Sequence, residues 1–379
     1  MSSEPHPFPP RADAVLRATP TPVERFIVES LEPRRSELNE WKQLVGYQEL
    51  LRRAANRSKL KPQRITKEDS GQLFTTLVHA DGVAGGIGPV PRVTSLVSDQ
   101  ALRISGSRRL LRQYLADREV PLPEGRCFSG GEQVQATTYL RQLGQQAVVR
   151  SAETGTSGRA TFGVDTRGLD QAWSRASATG NGAGHSAGDE SGPGDVLIET
   201  LQPGIMLRMF VIGETVGAAQ VHVPLYVVGD GESSIRDLLA AETAYRQTNE
   251  YLAGTLTADP DMLTREGLTE DSVLESGAVH VLASHPAPQL GSMTVDVTAD
   301  VWDALKEIAV EAIWAVPGMD AAAVDVITPG LTAEDAAHAT VVDVDPGASI
   351  EDFRYPAIGR MRMVHDALMR RVAELFAPE

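Results

Sequence analysis

Two short apolar runs carry acids where a buried strand would carry valine. Asp325 sits in Ala-Ala-Val-Asp-Val-Ile, and Asp343 and Asp345 sit in Val-Val-Asp-Val-Asp-Pro-Gly. Side chains alternate along a strand, so Asp343 and Asp345 share one face. If the Asp325 strand lies alongside, three carboxylates converge on one patch and repel one another unless a cation joins them. Hard oxygen donors of this kind select Mg²⁺ or Mn²⁺, commonly shared with substrate phosphates. The competing reading is strand-end acids facing solvent, because Asp-x-Asp alone is a weak pattern.

Three other stretches have types and spacing that suit a ligand. Arg150-Ser-Ala-Glu-Thr-Gly155-Thr-Ser157-Gly158-Arg159 is a strand end, a cation and a Gly/Ser/Thr turn, which can lay backbone N–H groups over phosphates. It lacks the Gly-Lys-Ser/Thr of a Walker loop, and an ordinary hairpin turn explains it equally well. Ile198-Glu199-Thr-Leu201 reads as a strand leaving the core through a short connector, a place where an adenine ring can be gripped. Val228-Gly-Asp-Gly231-Glu-Ser-Ser-Ile235 is a turn followed by a serine helix cap.

The elements that must position these residues follow from periodicity. Val23 to Arg57 reads as helical, split by Pro33. Leu73 to His79 reads as a strand, followed by a Gly/Pro-rich loop from Gly82 to Pro91. A helix is expected from Ser107 to Asp117, a strand from Ala147 to Arg150, and a turn from Ala152 to Gly163. Ala176 to Asp195 is low complexity and reads as a surface loop. Val196 to Ile198, then Ile205 to Ile212 and Thr215 to Val223, read as strands, the last two antiparallel about Gly213. Helices are expected at Ser234 to Arg246, Val301 to Val316 and Ile358 to Phe376, with strands at Ala321 to Ile327 and Thr340 to Val344. Mixed throughout, the class is α/β or α+β.

Composition excludes several functions. The 379 residues suffice for two to three domains. The 42% apolar and 23% charged content is that of a globular chain. One cysteine, Cys127, forbids an internal disulfide and argues against a cysteine-built zinc or iron–sulfur centre. No membrane span or secretory leader is legible, so the expected location is cytoplasmic. A net charge of −16 argues against nucleic acid or an anionic membrane as partner. Residues 1–93 hold 14 Lys/Arg and 11 Asp/Glu, a balance of +3, and the remainder hold 21 and 40, a balance of −19. The basic run Arg52, Arg53, Arg57, Lys59, Lys61, Arg64 and Lys67 reads as a solvated helix face and trailing loop. His79, His222, His280, His285 and His338 have no motif spacing and read as structural or surface residues.

From about Thr94 to Phe376 the order of these pieces resembles the ATP-grasp superfamily. It is most similar to the branch containing cyanophycin synthetase and the ATP-grasp module of bifunctional glutathione synthetases. Thr94-Ser95 and Ile104-Ser-Gly-Ser-Arg108 stand where that branch has Thr-Ser and an Ile-Ala-x-Asp-Lys helix start. Val120-Pro-Leu-Pro-Glu-Gly125, Ala147-Val-Val-Arg150 and Val196-Leu-Ile-Glu199 to Gly204 with Arg208 match successive family segments. So do Gly229-Asp-Gly231 with Ser234-Ile235, and Pro356-x-x-Gly359. Both family lysines that contact phosphates appear as arginine, Arg108 and Arg150, and the family's Glu-x-Asn metal pair reads Asp343-x-Asp345. Met206 stands where many members hold the ribose with an acid.

The resemblance implies an ATP-grasp fold of two α+β subdomains clasping ATP, a central lid at about 120–200 and a C-terminal subdomain at about 201–376. Residues 1–93 would form a divergent N-terminal region, a candidate for substrate binding. The implied activity is ATP-dependent carboxylate–amine ligation through an acyl phosphate, releasing ADP and phosphate, with an amino acid or short peptide and an amine as substrates. Arg108, Arg150, Gly155, Ser157, Gly158, Glu199 and Leu201 would bind ATP. Asp325, Asp343 and Asp345 would hold Mg²⁺ or Mn²⁺, and Arg208 would act on the transferring phosphoryl. The alternatives are an ATP-grasp kinase or phosphoryl transferase without an amine acceptor, and a non-catalytic nucleotide-binding relic. A homo-oligomer is compatible with all three.

Overall fold

A computed structural model describes residues 13–66, 73–80, 82–88, 93–154, 160–178 and 194–375. Among the described residues fourteen strands are assigned in chain order. They are β1 (Lys61–Thr66), β2 (Leu73–His79), β3 (Gly82–Ile87), β4 (Gly125–Phe128), β5 (Ala147–Ser151), β6 (Thr161–Val164) and β7 (Val196–Thr200). The second half adds β8 (Ile205–Ile212), β9 (Thr215–Val223), β10 (Tyr226–Val228), β11 (Val279–Val281), β12 (Met293–Asp296), β13 (Ala321–Thr328) and β14 (Thr340–Asp345). They form a five-stranded sheet in the order β12-β9-β8-β13-β14, a four-stranded sheet β4-β7-β5-β6, a three-stranded sheet β1-β2-β3 and a β10-β11 pair. This is the mixed α+β class read from the sequence.

In the five-stranded sheet the alternation has a clear division of labour. Leu207, Met209, Val221, Val295, Val324 and Val326 are buried in one core with Leu305, Ala309, Ala312 and Ile313 of the helix Asp303–Trp314. Met206, Arg208, His222, Asp325 and Ile327 turn to the other face and wall a cavity. Gly213, at φ 60°, takes the left-handed conformation that the tight β8–β9 connection requires. Gly204 permits a close approach instead: a Cβ there would lie 2.5 Å from Ile327 Cγ2.

The four-stranded sheet has its own core, in which Phe128, Val149 and Ile198 meet Leu169 and Trp173 of the helix Leu169–Ser177. The N-terminal segment does not stand apart from the C-terminal one. Phe26, Ile27 and Leu31 share the core of the five-stranded sheet. Tyr47 and Leu51 of the helix Tyr47–Arg57 share a second core with Phe353, Leu368 and Val372.

Several boundaries differ from the sequence reading. The helical reading of Val23 to Arg57 breaks at Leu38, because 39–45 bonds elsewhere: Asn39 N donates to Ala357 O (2.9 Å) and Trp41 Nε1 to Pro356 O (3.0 Å). Gly82–Ile87 is a strand rather than a loop, held by its ladder to β2. Lys61 to Thr66, read as a trailing loop, pairs as β1. Thr161 begins β6 inside the expected turn, and the helix Leu169–Ser177 takes Ala176 and Ser177 from the expected low-complexity loop. Residues 179–193 of that loop lie outside the described residues. The last helix begins at Val364, not Ile358, because Ile358 bridges Val295 in parallel and Gly359 has φ 97°. In the basic run, Arg52 and Arg53 bond Glu49, and Arg57 bonds Asp366, as a solvated face would. Of the two serines that could cap this helix, Ser233 and Ser234, it is Ser234 that does so, in a reciprocal box with Asp237.

Candidate active site

A cavity of about 1330 Å³ lies between the four-stranded and five-stranded sheets. Eight of the sequence-derived site residues fall within the described residues: Arg108, Arg150, Glu199, Leu201, Arg208, Asp325, Asp343 and Asp345. All eight line this cavity. Gly155, Ser157 and Gly158 lie outside the described residues.

The sheet register explains the convergence. Asp325 of β13 lies directly opposite Arg208 of β8 on one side and Asp343 of β14 on the other. Arg208 meets Asp325 as a bidentate pair, Nε to Oδ1 at 2.6 Å and Nη2 to Oδ2 at 2.7 Å. Burial opposes the charge on Arg208, but the contact with Asp325 outweighs it and raises its pKa. Arg108, first residue of the helix Arg108–Asp117, reaches Asp343 Oδ2 at 3.0 Å and donates to Ser151 O at 3.0 Å. Arg150, from β5 of the opposite sheet, donates to Val342 O at 2.7 Å and stands 3.8 Å from Asp343. Burial works to raise the Asp343 pKa, yet the two guanidiniums hold it below the ordinary carboxylate range.

Asp345 behaves differently. Its carboxylate accepts the Gly347 N–H at 2.9 Å. Burial raises its pKa, Arg208 resists, and the charges of Asp343 and Asp325 add to the rise. Thus the three acids share one cavity wall as expected, but two are already paired with arginine and the third is short of positive charge. Among the described residues no cluster of three His, Cys, Asp or Glu is close enough to hold a metal. The donors are hard carboxylate oxygens, and the under-compensated Asp345 suits a divalent cation.

The expected hinge residues have partners of their own. Glu199 does not present a free carboxylate: Arg112 Nη1 reaches Oε2 at 3.0 Å and Arg150 Nη2 reaches Oε1 at 2.7 Å. The Leu201 N–H is also engaged, donating to Gln146 O at 3.0 Å. Asp230 of the Gly-Asp-Gly turn bonds locally, and the Ser233 hydroxyl with two backbone N–H groups lowers its pKa to about 2.

Sequence reasoning missed several wall residues. Arg112, one helical turn from Arg108, was also missed; it stands behind the wall rather than on it. His222, read as structural or surface, is buried on the cavity floor beside Met206, and burial followed by Arg208 lowers its pKa to about 3. Val15, Arg17, Val23 and Glu24 also line the cavity, because Val15 bridges Ala278. No periodic pattern announces that contact.

Comparison with known proteins fits this geometry. The chain is 30% identical over 193 residues to the glutathione biosynthesis bifunctional protein of Enterococcus faecalis, a match covering 48% of this chain and 25% of that protein. It is 24% identical over 287 residues to the cyanophycin synthetase of Crocosphaera subtropica, covering 74% of this chain and 31% of the relative. Among solved structures it is similar to a bifunctional glutathione synthetase from Pasteurella multocida, with a TM-score of 0.53, 19% identity, and 83% and 42% of the two chains covered. No protein-family profile matches. The two-sheet cleft is the ATP-grasp ligase fold. The chain spans about a quarter to a third of the length of these two curated relatives.

Proposed function

We propose that this protein is an ATP-dependent carboxylate–amine ligase. The observation that carries the reading is the convergence of three arginines and three aspartates, from both sheets and the helix Arg108–Asp117, on one cavity. A carboxylate is a poor electrophile, so amide formation needs activation, and phosphoryl transfer needs neutralised charge and alignment more than covalent help. ATP converts the carboxylate to an acyl phosphate with release of ADP; the amine then attacks the acyl carbon and phosphate leaves.

In this assignment Arg108 and Arg150 hold phosphate oxygens, trading their present carboxylate and carbonyl partners for them. Each carries a buried Nε without a partner among the described residues, a donor still to be satisfied. Arg208, fixed by Asp325, faces the transferring group. Asp345, the acid short of positive charge, would hold Mg²⁺ or Mn²⁺ together with the phosphates, and Asp343 and Asp325 would join it only by giving up their arginine partners; the ion would supply charge neutralisation. Met206, Ile327, Val148 and Leu201 give apolar surface for a base. The substrates are a small carboxylate, an amino acid or short peptide, and an amine. A cavity of about 1330 Å³ exceeds the usual range for one drug-sized ligand, about 300–1,000 Å³, and leaves room for a second molecule beside a nucleotide.

The test is ADP release from ATP and Mg²⁺ across pairs of carboxylates and amines, with hydroxylamine added to trap acyl phosphate as hydroxamate. ADP that depends on both substrates, with hydroxamate when the amine is omitted, supports ligation. ADP formation with a phosphorylated product and no amine dependence would assign a phosphoryl transferase instead. A protein that binds no nucleotide sinks the reading.

A further inference from the structure

The charges around the cavity close into a ring. Arg112 Nη1 meets Glu199 at 3.0 Å, and Glu199 meets Arg150 at 2.7 Å. Arg150 stands 3.8 Å from Asp343, which meets Arg108 at 3.0 Å. Arg108 and Arg112 lie four residues apart on the helix Arg108–Asp117, hence on one face, so the ring begins and ends on the same helix. Its three arginines and two acids leave one net positive charge, and none of the five side chains exceeds 18% exposure.

Arg108, Arg150, Glu199 and Asp343 line the cavity; Arg112 is not among its lining residues. It is anchored on its other side, where Nη2 donates to Pro123 O at 2.7 Å. A buried carboxylate shared by two guanidiniums has one oxygen for each, so Arg112 fixes the Glu199 oxygen that Arg150 does not use. Remove Arg112, and Glu199 is free to rotate and take both of its oxygens to Arg150, drawing that guanidinium toward the hinge.

We propose that Arg112 is a positioning residue for the nucleotide phosphates, acting through Glu199 to set where Arg150 points. This rests on the nucleotide reading of the cavity. It also gives Glu199 a different role from the base contact the resemblance implies.

The experiment is calorimetric binding of ATP and of adenosine to the full chain. The proteins are wild type, Arg112→Gln, Arg112→Lys, Arg150→Ala and the Arg112→Gln/Arg150→Ala double variant. Arg112→Gln should weaken ATP about tenfold, the scale of one misplaced charge-assisted hydrogen bond, and leave adenosine within about twofold. Arg112→Lys keeps the charge but cannot span Glu199 and Pro123 with a planar fork, so a smaller loss of about threefold in ATP affinity is expected. In the double variant the loss should not exceed that of Arg150→Ala alone, because the two residues act as one unit.

Equal losses for ATP and adenosine, or losses that add in the double variant, would show a merely structural arginine and overturn the proposal. If Arg112→Gln does not fold, unchanged ATP affinity in Arg112→Lys overturns it as well. A wild type that binds ATP while both Arg112 variants bind it normally removes this inference alone. A wild type that binds no ATP removes the ligase reading and this inference together.

Discussion

Two buried arginine–carboxylate networks in this molecule use the same chemistry for different ends. In the cleft, Arg108, Arg150 and Arg208 pair with Asp343, Glu199 and Asp325 along the wall of a large cavity. Away from it, Glu242 of the helix Ile235–Arg246 pairs with Arg246 at 2.7 Å and with Arg35 of the N-terminal segment. Arg246 also donates to Gly291 O at 2.6 Å, and both Arg246 and Glu242 are almost wholly enclosed. The cleft pairs border space in which an anion or cation can replace either partner. The enclosed pairs have no such exchange open to them; breaking one leaves a charge stranded. An ion pair beside a cavity is therefore a functional candidate, whereas the same pair sealed in a core is a clasp between segments.

The comparison breaks most sharply at Asp343. Asp343→Asn should abolish turnover, to less than about a tenth of wild type, a loss above ~1.4 kcal/mol in the barrier. It should also lower the melting temperature, because Arg108 and Arg150 lose their shared partner. ADP release and a thermal melt on the same preparation check both halves, and near-normal turnover would remove Asp343 from the phosphate chemistry.

Arg150→Ala should lower kcat by about 10²–10³, with Arg150→Lys recovering part of it. Steady-state kinetics at saturating ATP separates this from weaker binding. The enclosed network should respond in the opposite sense. Glu242→Gln should cost about 3 kcal/mol of unfolding free energy while leaving kcat per folded molecule unchanged. Denaturant unfolding beside active-site titration reads both, and a loss of kcat without a loss of stability would erase the distinction between the networks.

The smallest expected effect is on pH dependence, where cleft and core should agree. Burial lowers the pKa of His222 in the cleft to about 3 and that of His365 in the last helix to about 4, so both are neutral in the native protein near neutrality. The unfolded chain takes up their protons near 6.5. Their contribution is therefore complete above about pH 6.5 and declines as pH falls, through about 4 for His365 and about 3 for His222. Melting temperatures between pH 7 and pH 4 should fall with acid, and His365→Gln should flatten that slope. An unchanged slope would place the acid sensitivity elsewhere.

Much of this arrangement was legible before any coordinates. The acid-bearing strands and the β8–β9 hairpin follow from period-two apolar runs, and the Ser234 cap follows from local side-chain chemistry. The register of the sheet then brings Asp325, Arg208 and Asp343 together. What escaped were contacts made by residues without a pattern. Trp41 and Asn39 interrupt a helical periodicity because carbonyls at Pro356 and Ala357 accept their hydrogen bonds. The partnering of Glu199 by two arginines depends on side-chain placement across β5, β7 and the helix Arg108–Asp117. His222 looks like any lone histidine until the strand pairing sets it on the cavity floor.

The union of early and late segments has a consequence for synthesis. Tyr47 and Leu51 bury themselves against Leu368 and Val372, separated by over three hundred positions along the chain. During translation the helix Tyr47–Arg57 leaves the ribosome long before its companion exists. At about 5–20 residues per second, that apolar face waits on the order of 15 to 60 s for full cover. Residues such as Leu77 and Phe210 can cover part of that face earlier, but the core that joins the two segments is complete only once Leu368 and Val372 have been made.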